Sequence, residues 1–163
     1  DLNHVKLENN SLSGVIPADL FANNAKVVFI FMGNNNFSGD IMASHFANNA
    51  KLEVLDISEN NLSSLENRNI FVNNNLLKNL KLNANSLMEL PSFVNNGLIQ
   101  DIDVSNNQLL QQALDGLIVE IASLSATSGK MKMDAQNPIT SPSQQVDYFV
   151  DILEARNWQI ISD

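Results

Sequence analysis

The sequence predicts an α/β solenoid: a curved, concave parallel β-sheet backed by a convex side of loops, short helical turns and two C-terminal helices. Three observations predict it. One apolar pattern returns five times at spacings of 25, 25, 25 and 22 residues. A second pattern, phased to the first, shortens at the same step. Two longer strand–helix units then follow, each about 29 residues on. Repeats of this length are stacked supersecondary units, each unable to bury its apolar face alone.

The first pattern opens on Leu2, Val27, Leu52, Leu77 and Ile99. Three positions later stand Val5, Ile30, Leu55, Leu80 and Ile102, and two further on Leu7, Met32, Ile57, Leu82 and Val104. Apolar residues two apart mark a short strand with one buried face. Asn10, Asn35, Asn60, Asn85 and Asn107 follow, where the chain leaves the strand and its backbone groups lose their ladder partners. A carboxamide has two donors and an acceptor, so stacked asparagines can satisfy those groups coil after coil. Leu12, Phe37, Leu62, Leu87 and Leu109 close the pattern. In the second register, Phe21, Phe46, Phe71 and Phe93 form a candidate spine on the opposite side. Each precedes an asparagine pair: Asn23-Asn24, Asn48-Asn49, Asn73-Asn74 and Asn95-Asn96. Asparagine accounts for 26 of 163 residues, and these two registers absorb much of the excess.

The pattern LxxLxLxxNxL, unbroken over residues 1–109, resembles the leucine-rich-repeat family. The strings Ser11–Pro17 (SLSGVIP) and Phe37–Ile41 (FSGDI) resemble its longer repeat subtype, found in plant receptors and in bacteria. That resemblance implies a non-catalytic module that binds a protein or peptide. Plant receptor domains usually carry paired cysteine caps, and this chain has no cysteine.

Residues 110–163 read as two degenerate strand–helix units that form a C-terminal cap, because a solenoid end must cover an apolar edge. Leu114, Leu117, Ile118 and Ile121 give helical spacing across 110–124. Lys130–Asp134 alternates like the earlier strands. Ser141-Pro142-Ser143-Gln144 has the form of a capping box ahead of Val146, Phe149, Val150 and Leu153. Trp158–Ile161 makes a last strand. The first coil has no comparable cover, so the N-terminus reads as a cut edge of a longer chain, an edge through which copies would self-associate.

Residues between the buried leucines point outward from the concave sheet. One row reads His4, Phe29, Val54, Asn79, Asp101, Lys130; the next Lys6, Phe31, Asp56, Lys81, Asp103, Lys132; the third Glu8, Gly33, Ser58, Asn83, Ser105, Asp134. Phe29 and Phe31 are out of character for an outward row. Paired aromatics there make a hydrophobic anchor, with Gly33 leaving the rings accessible. The predicted partner-binding set is therefore His4, Lys6, Phe29, Phe31, Val54, Asp56, Lys81 and Asp103.

A net charge of −9 argues against nucleic acid and anionic membranes, which reward clustered cations. No stretch is long and apolar enough to insert in a membrane. Without cysteine there is no thiol nucleophile or Cys–zinc site. The two histidines, His4 and His45, fall at unrelated repeat positions, and no catalytic constellation, metal site or cofactor motif is present. His45 is expected to be solvated on the convex side. Asp101–Ser105 opens like a calcium loop, but Asn106 and Gln112 stand where glycine and glutamate belong. A weak cation site with Asp134 stays open. The sequons at Asn9, Asn36 and Asn61 are what the composition alone produces. Two alternatives stand beside recognition: a structural, adhesin or virion-assembly component, and carbohydrate binding. Extracellular, cell-surface or virion-associated placement is favoured over cytoplasmic.

Overall fold

The computed structural model describes residues 2–138 and 140–162. Ten strands are numbered along the chain. β1 (His4–Lys6), β3 (Phe29–Phe31), β5 (Val54–Asp56), β7 (Asn79–Lys81), β8 (Asp101–Asp103), β9 (Gly129–Lys132) and β10 (Trp158–Ile161) form one parallel sheet in that order. Most are three residues long because only one apolar side chain per strand enters the core. Val5, Ile30, Leu55, Leu80, Ile102 and Met131 are buried, while their neighbours face outward. Burying each such side chain contributes about 1.5–3 kcal/mol. Because β9 and β10 pair in the same parallel register, the sheet continues past residue 109.

Beyond each strand the chain turns out of the sheet at a residue with positive φ. Asn9, Asn34, Glu59, Ala84, Asn106 and Ala135 all lie between +52° and +58°. Asparagine tolerates that left-handed conformation better than other residues with a Cβ. This explains why Asn9, Asn34 and Asn106 crowd the turn without being ladder residues. The ladder itself lies one position on. Asn60 donates through Nδ2 to the carbonyls of Met32 in the coil before and of Ile57 and Ser58 in its own, and its Oδ1 accepts the Phe37 N–H at 3.0 Å. Asn35, Asn85 and Asn107 repeat that four-bond pattern. The Asn10 side chain, in the first coil, bonds only to carbonyls of its own turn.

A sixth rung is glutamine. Gln136 donates through Nε2 to Val104, Met133 and Asp134 and accepts the Leu109 N–H. The longer side chain carries the same carboxamide, so asparagine alone is too narrow a signature for the ladder.

On the flank after the ladder, β2 (Ser13–Val15), β4 (Asn36–Ile41) and β6 (Asn61–Leu65) form a second parallel sheet. The sequence reading placed loops there. The spacing drops to 22 after the third coil, and residues 86–90 form no strand, so the second sheet ends at β6.

The convex side is closed by the phenylalanines. Phe21 and Phe46 stack at 6.3 Å, Phe46 and Phe71 meet at 5.7 Å, and all four including Phe93 are buried. In the second to fourth pairs the second asparagine is buried beside them and joins coils. Asn49, Asn74 and Asn96 each donate to two carbonyls of the coil before.

Helix α1 (Gln111–Ser123) buries Leu114, Leu117, Ile118 and Ile121, and α2 (Asp147–Ala155) buries Leu153. The capping box expected at Ser141–Gln144 does not form. A 3-10 turn at Gln144–Val146 precedes α2, and the backbone N–H and hydroxyl of Ser143 donate instead to the Asp115 carboxylate of α1, each at 2.7 Å. A tertiary acceptor displaces the local one. The first coil also departs from the repeat. Leu2 and Leu12, equivalent to fully buried residues in later coils, are exposed because no coil packs against that side.

His45 overturns the expectation that it is solvated: it is almost completely buried. Its Nδ1 accepts the Met42 N–H, so Nε2 carries the proton and donates to the Ile16 carbonyl of the first coil. Burial lowers its pKa below the ordinary 6.5, against smaller opposing effects of the Ile16 carbonyl and the Glu66 carboxylate.

Two predictions follow from this packing. Replacing Gln136 by Ala removes the acceptor of the Leu109 N–H and a donor to the Met133 carbonyl, while the Val104 and Asp134 carbonyls keep their bonds from Asn107 and Asn106. It lowers stability by about 1–3 kcal/mol, measured by urea unfolding. For His45, the unfolded chain takes up a proton at 6.5 that the folded chain refuses until lower pH. Stability therefore falls as pH drops from 6.5 to the lowered native value, and levels off below it. Urea midpoints measured across that window in wild type and His45→Gln should diverge, the variant lacking this slope.

Candidate functional site

The outward face of the seven-stranded sheet is built by register alone. His4, Phe29, Val54, Asn79, Asp101, Lys130 and Gln159 are aligned across all seven strands, as are Lys6, Phe31, Asp56, Lys81, Asp103, Lys132 and Ile161. The eight residues singled out from sequence thus lie in two adjacent rows. A third row runs just beyond the strands, where backbone bonds continue: Asn9 N–H to Gly33, Asn34 N–H to Ser58 and Glu59 N–H to Asn83.

The face divides into two halves. On the first two strands, the His4 ring stacks on Phe29 at 4.6 Å, and the Phe29 and Phe31 rings are parallel within 3° at 6.5 Å. Both phenylalanines are partly buried, and part of each ring remains accessible to a partner. Lys6 stands exposed beside Phe31 across the β1–β3 pair.

The other half alternates in charge. Asp56 and Asp103 are held by the same local device: Oδ1 accepts both the backbone N–H and the hydroxyl of a serine two residues on, Ser58 and Ser105, at 3.1 and 2.6 Å. That leaves Asp56 Oδ2 available to a neighbouring cation. Lys81 reaches Asp56 Oδ2 at 3.6 Å, and Lys132 reaches Asp134 at 3.9 Å. Such partly exposed pairs contribute little stability, about 0–1 kcal/mol, and instead position charge. Asn79 donates to Asp101 at 3.5 Å, a long bond.

Gly33 acts differently from the sequence reading. It was expected to leave the phenylalanine rings accessible, but it lies against the next coil. A Cβ there would stand 2.9 Å from Asp56 Oδ1 and 3.1 Å from Ser58 Oγ. Glycine thus clears space for the aspartate–serine pair. The pair itself was also missed, although Asp56-Ile57-Ser58 and Asp103-Val104-Ser105 share a visible D-x-S spacing. Among the described residues, no group of three or more His, Asp or Glu side chains is arranged to hold a metal ion.

Substituting Gly33 by Ala should displace the Asp56 carboxylate and cost about 1–3 kcal/mol through overpacking. Thermal unfolding of Gly33→Ala, and of Gly33→Ala with Asp56→Ala, measures it: relief in the double variant assigns the strain to Asp56.

Comparison with known proteins agrees with this architecture. The sequence model described as Leucine Rich Repeat matches residues 51–73. No curated protein sequence matches the chain. Among solved structures, the BIR3–SERK2 complex from Arabidopsis thaliana is similar at a TM-score of 0.58 and 24% identity, over 64% of this chain and 56% of that one. The ectodomain of the plant membrane receptor kinase GASSHO1/SCHENGEN3 from Arabidopsis thaliana, in complex with CASPARIAN STRIP INTEGRITY FACTOR 2, is similar at 0.65 and 16% identity, over 99% of this chain and 24% of that one. An internalin from Listeria monocytogenes is similar at 0.55 and 15% identity, over 100% of this chain and 48% of that one. This chain thus spans about half the length of the first and third, and a quarter of the second. Repeat pattern, coil geometry and these likenesses show a leucine-rich-repeat fold, with the family's sequence pattern matched at residues 51–73.

Proposed function

We propose that this protein is a non-catalytic recognition module that binds a protein or peptide partner on the concave face of its sheet. The observation that carries the reading is the open aromatic cluster His4–Phe29–Phe31 on a face otherwise lined by polar and charged residues. Apolar surface held open on a rigid sheet gives a partner side chain a desolvated anchor. Asp56, Lys81 and Asp103, alternating along the adjoining row, set the orientation of the bound chain. Val54 borders the rings in the same row as Phe29. Residues 110–163 extend the sheet by β9 and β10, each preceded by a helix, and act as the C-terminal cap. The similarity to a plant receptor kinase ectodomain in complex with CASPARIAN STRIP INTEGRITY FACTOR 2, and to the BIR3–SERK2 complex, supports the recognition role, and the first also supports an extracellular or cell-surface setting.

A second reading, self-assembly through the first coil, is favoured by one observation. Leu2, Leu12, Val15 and Leu20 are exposed together beside the open edges of β1 and β2. Light scattering separates the two readings, because assembly through that edge gives concentration-dependent oligomers and recognition alone gives a monomer.

The direct test is Phe29→Ser with Phe31→Ser. Both rings are half-buried, so Tm should fall by only a few degrees. Binding of a partner peptide, selected on the wild-type protein and measured by calorimetry, should weaken at least about a hundredfold if the rings form a hot spot. Unchanged binding removes the rings from the site, and a collapse in Tm assigns them to the core.

A further inference from the structure

The convex side carries a second apolar surface that the concave-face reading does not use. Two columns there change character along the solenoid. The residue after each spine phenylalanine is Ala22, Ala47, Val72, Val94, and the residue before each first core position is Lys26, Lys51, Leu76, Leu98. In the third and fourth coils both columns become aliphatic and remain exposed: Val72 45%, Leu76 40%, Val94 61% and Leu98 47%. Asn96 donates to the Phe71 and Asn74 carbonyls and holds the two coils in register. Val72 therefore lies beside Val94, and Leu76 beside Leu98. Gly97 keeps the centre open, since a Cβ there meets nothing within 4 Å.

The border of this patch offers hydrogen bonds. In earlier coils the exposed asparagine of each pair covers a carbonyl of the coil before: Asn48 covers Ala22, and Asn73 covers Ala47. Among the described residues, Asn95 makes no such bond to Val72, so that amide and that carbonyl both face outward beside the valines. The carboxylate of Glu120, from α1, accepts the Phe93 N–H and is paired with Arg68. Segments 67–77 and 91–99 contain no acidic residue, although the chain has 18. The exposed Lys51 continues the Leu76–Leu98 column at the patch's edge.

We propose that this flank is a second docking surface, which takes a segment of another protein bearing paired aliphatic side chains flanked by carboxylates. The aliphatic pair covers Val72, Val94, Leu76 and Leu98, and the flanking carboxylate meets Lys51. Complementary charge selects this occupant over the alternatives. A second copy would set aliphatics on aliphatics while leaving Lys51 unmatched, and a net charge of −9 disfavours an anionic bilayer.

A random-peptide phage library panned on the immobilised protein tests it. The expected binders combine Leu, Ile or Val with neighbouring Asp or Glu. They lose at least about tenfold in affinity on Val94→Asp with Leu98→Asp. They weaken about threefold on Lys51→Glu, and they bind Phe29→Ser with Phe31→Ser as they bind wild type. That last arm separates this surface from the concave face, so failure of either reading leaves the other standing. Should the double aspartate variant unfold, Val94→Ser alone serves, since that side chain is the most exposed of the four. Binders that are basic, binders indifferent to Val94 and Leu98, or no binders at all overturn the proposal. So does a dimer that Val94→Asp dissociates, which assigns the flank to a second copy.

Discussion

The structure depends on a problem of unpaired backbone. At each coil a parallel strand of three residues must end, and the chain must turn away from the sheet within the core. The peptide groups at that corner have no sheet partner and no access to water, and leaving one unsatisfied costs about 1–3 kcal/mol. A carboxamide resolves this by donating to carbonyls of two coils and accepting from a third segment. Because every rung from Asn35 onward bonds to the coil before it, the same interaction that closes one coil also stacks it on its neighbour. Strand register, and with it the rows of the outward face, is inherited from the ladder.

The two faces of the solenoid then follow different physics. Inward positions are under packing constraint and repeat faithfully. Outward positions carry no such constraint, so departures from polar character there are free to serve a partner. The aromatic cluster of the first two coils and the aliphatic flank of the third and fourth are both departures of that kind. Each sits beside charged side chains. Gly33 shows coupling between neighbouring coils of the outward face: a missing side chain in one coil makes room for an aspartate–serine pair in the next, whose carboxylate reaches Lys81.

His45 links the first two coils by another route. A buried imidazole with a donor on one side and an acceptor on the other has one workable protonation state. The contact between coils is therefore sensitive to proton concentration, unlike the asparagine bonds around it.

Much of the solenoid was legible in the sequence because coil formation is local. Two-residue alternation, the ladder asparagines and the spine phenylalanines act within one repeat or between immediate neighbours, so their spacing carries their meaning. The outward rows were legible for the same reason, since parallel register maps equal spacing onto adjacency. What needed the tertiary structure was every choice between competing partners. Ser143 has a local capping position available and bonds Asp115 instead. His45 looks like a surface residue until the Ile16 carbonyl, 29 positions away, is brought to it. Gln136 joins the ladder because its geometry, not its name, fits the corner. Leu2 and Leu12 satisfy the repeat and stay exposed, because burial requires a neighbouring coil as well as an apolar side chain. Periodicity determines which groups must be satisfied; only packing in three dimensions decides which partner reaches them first.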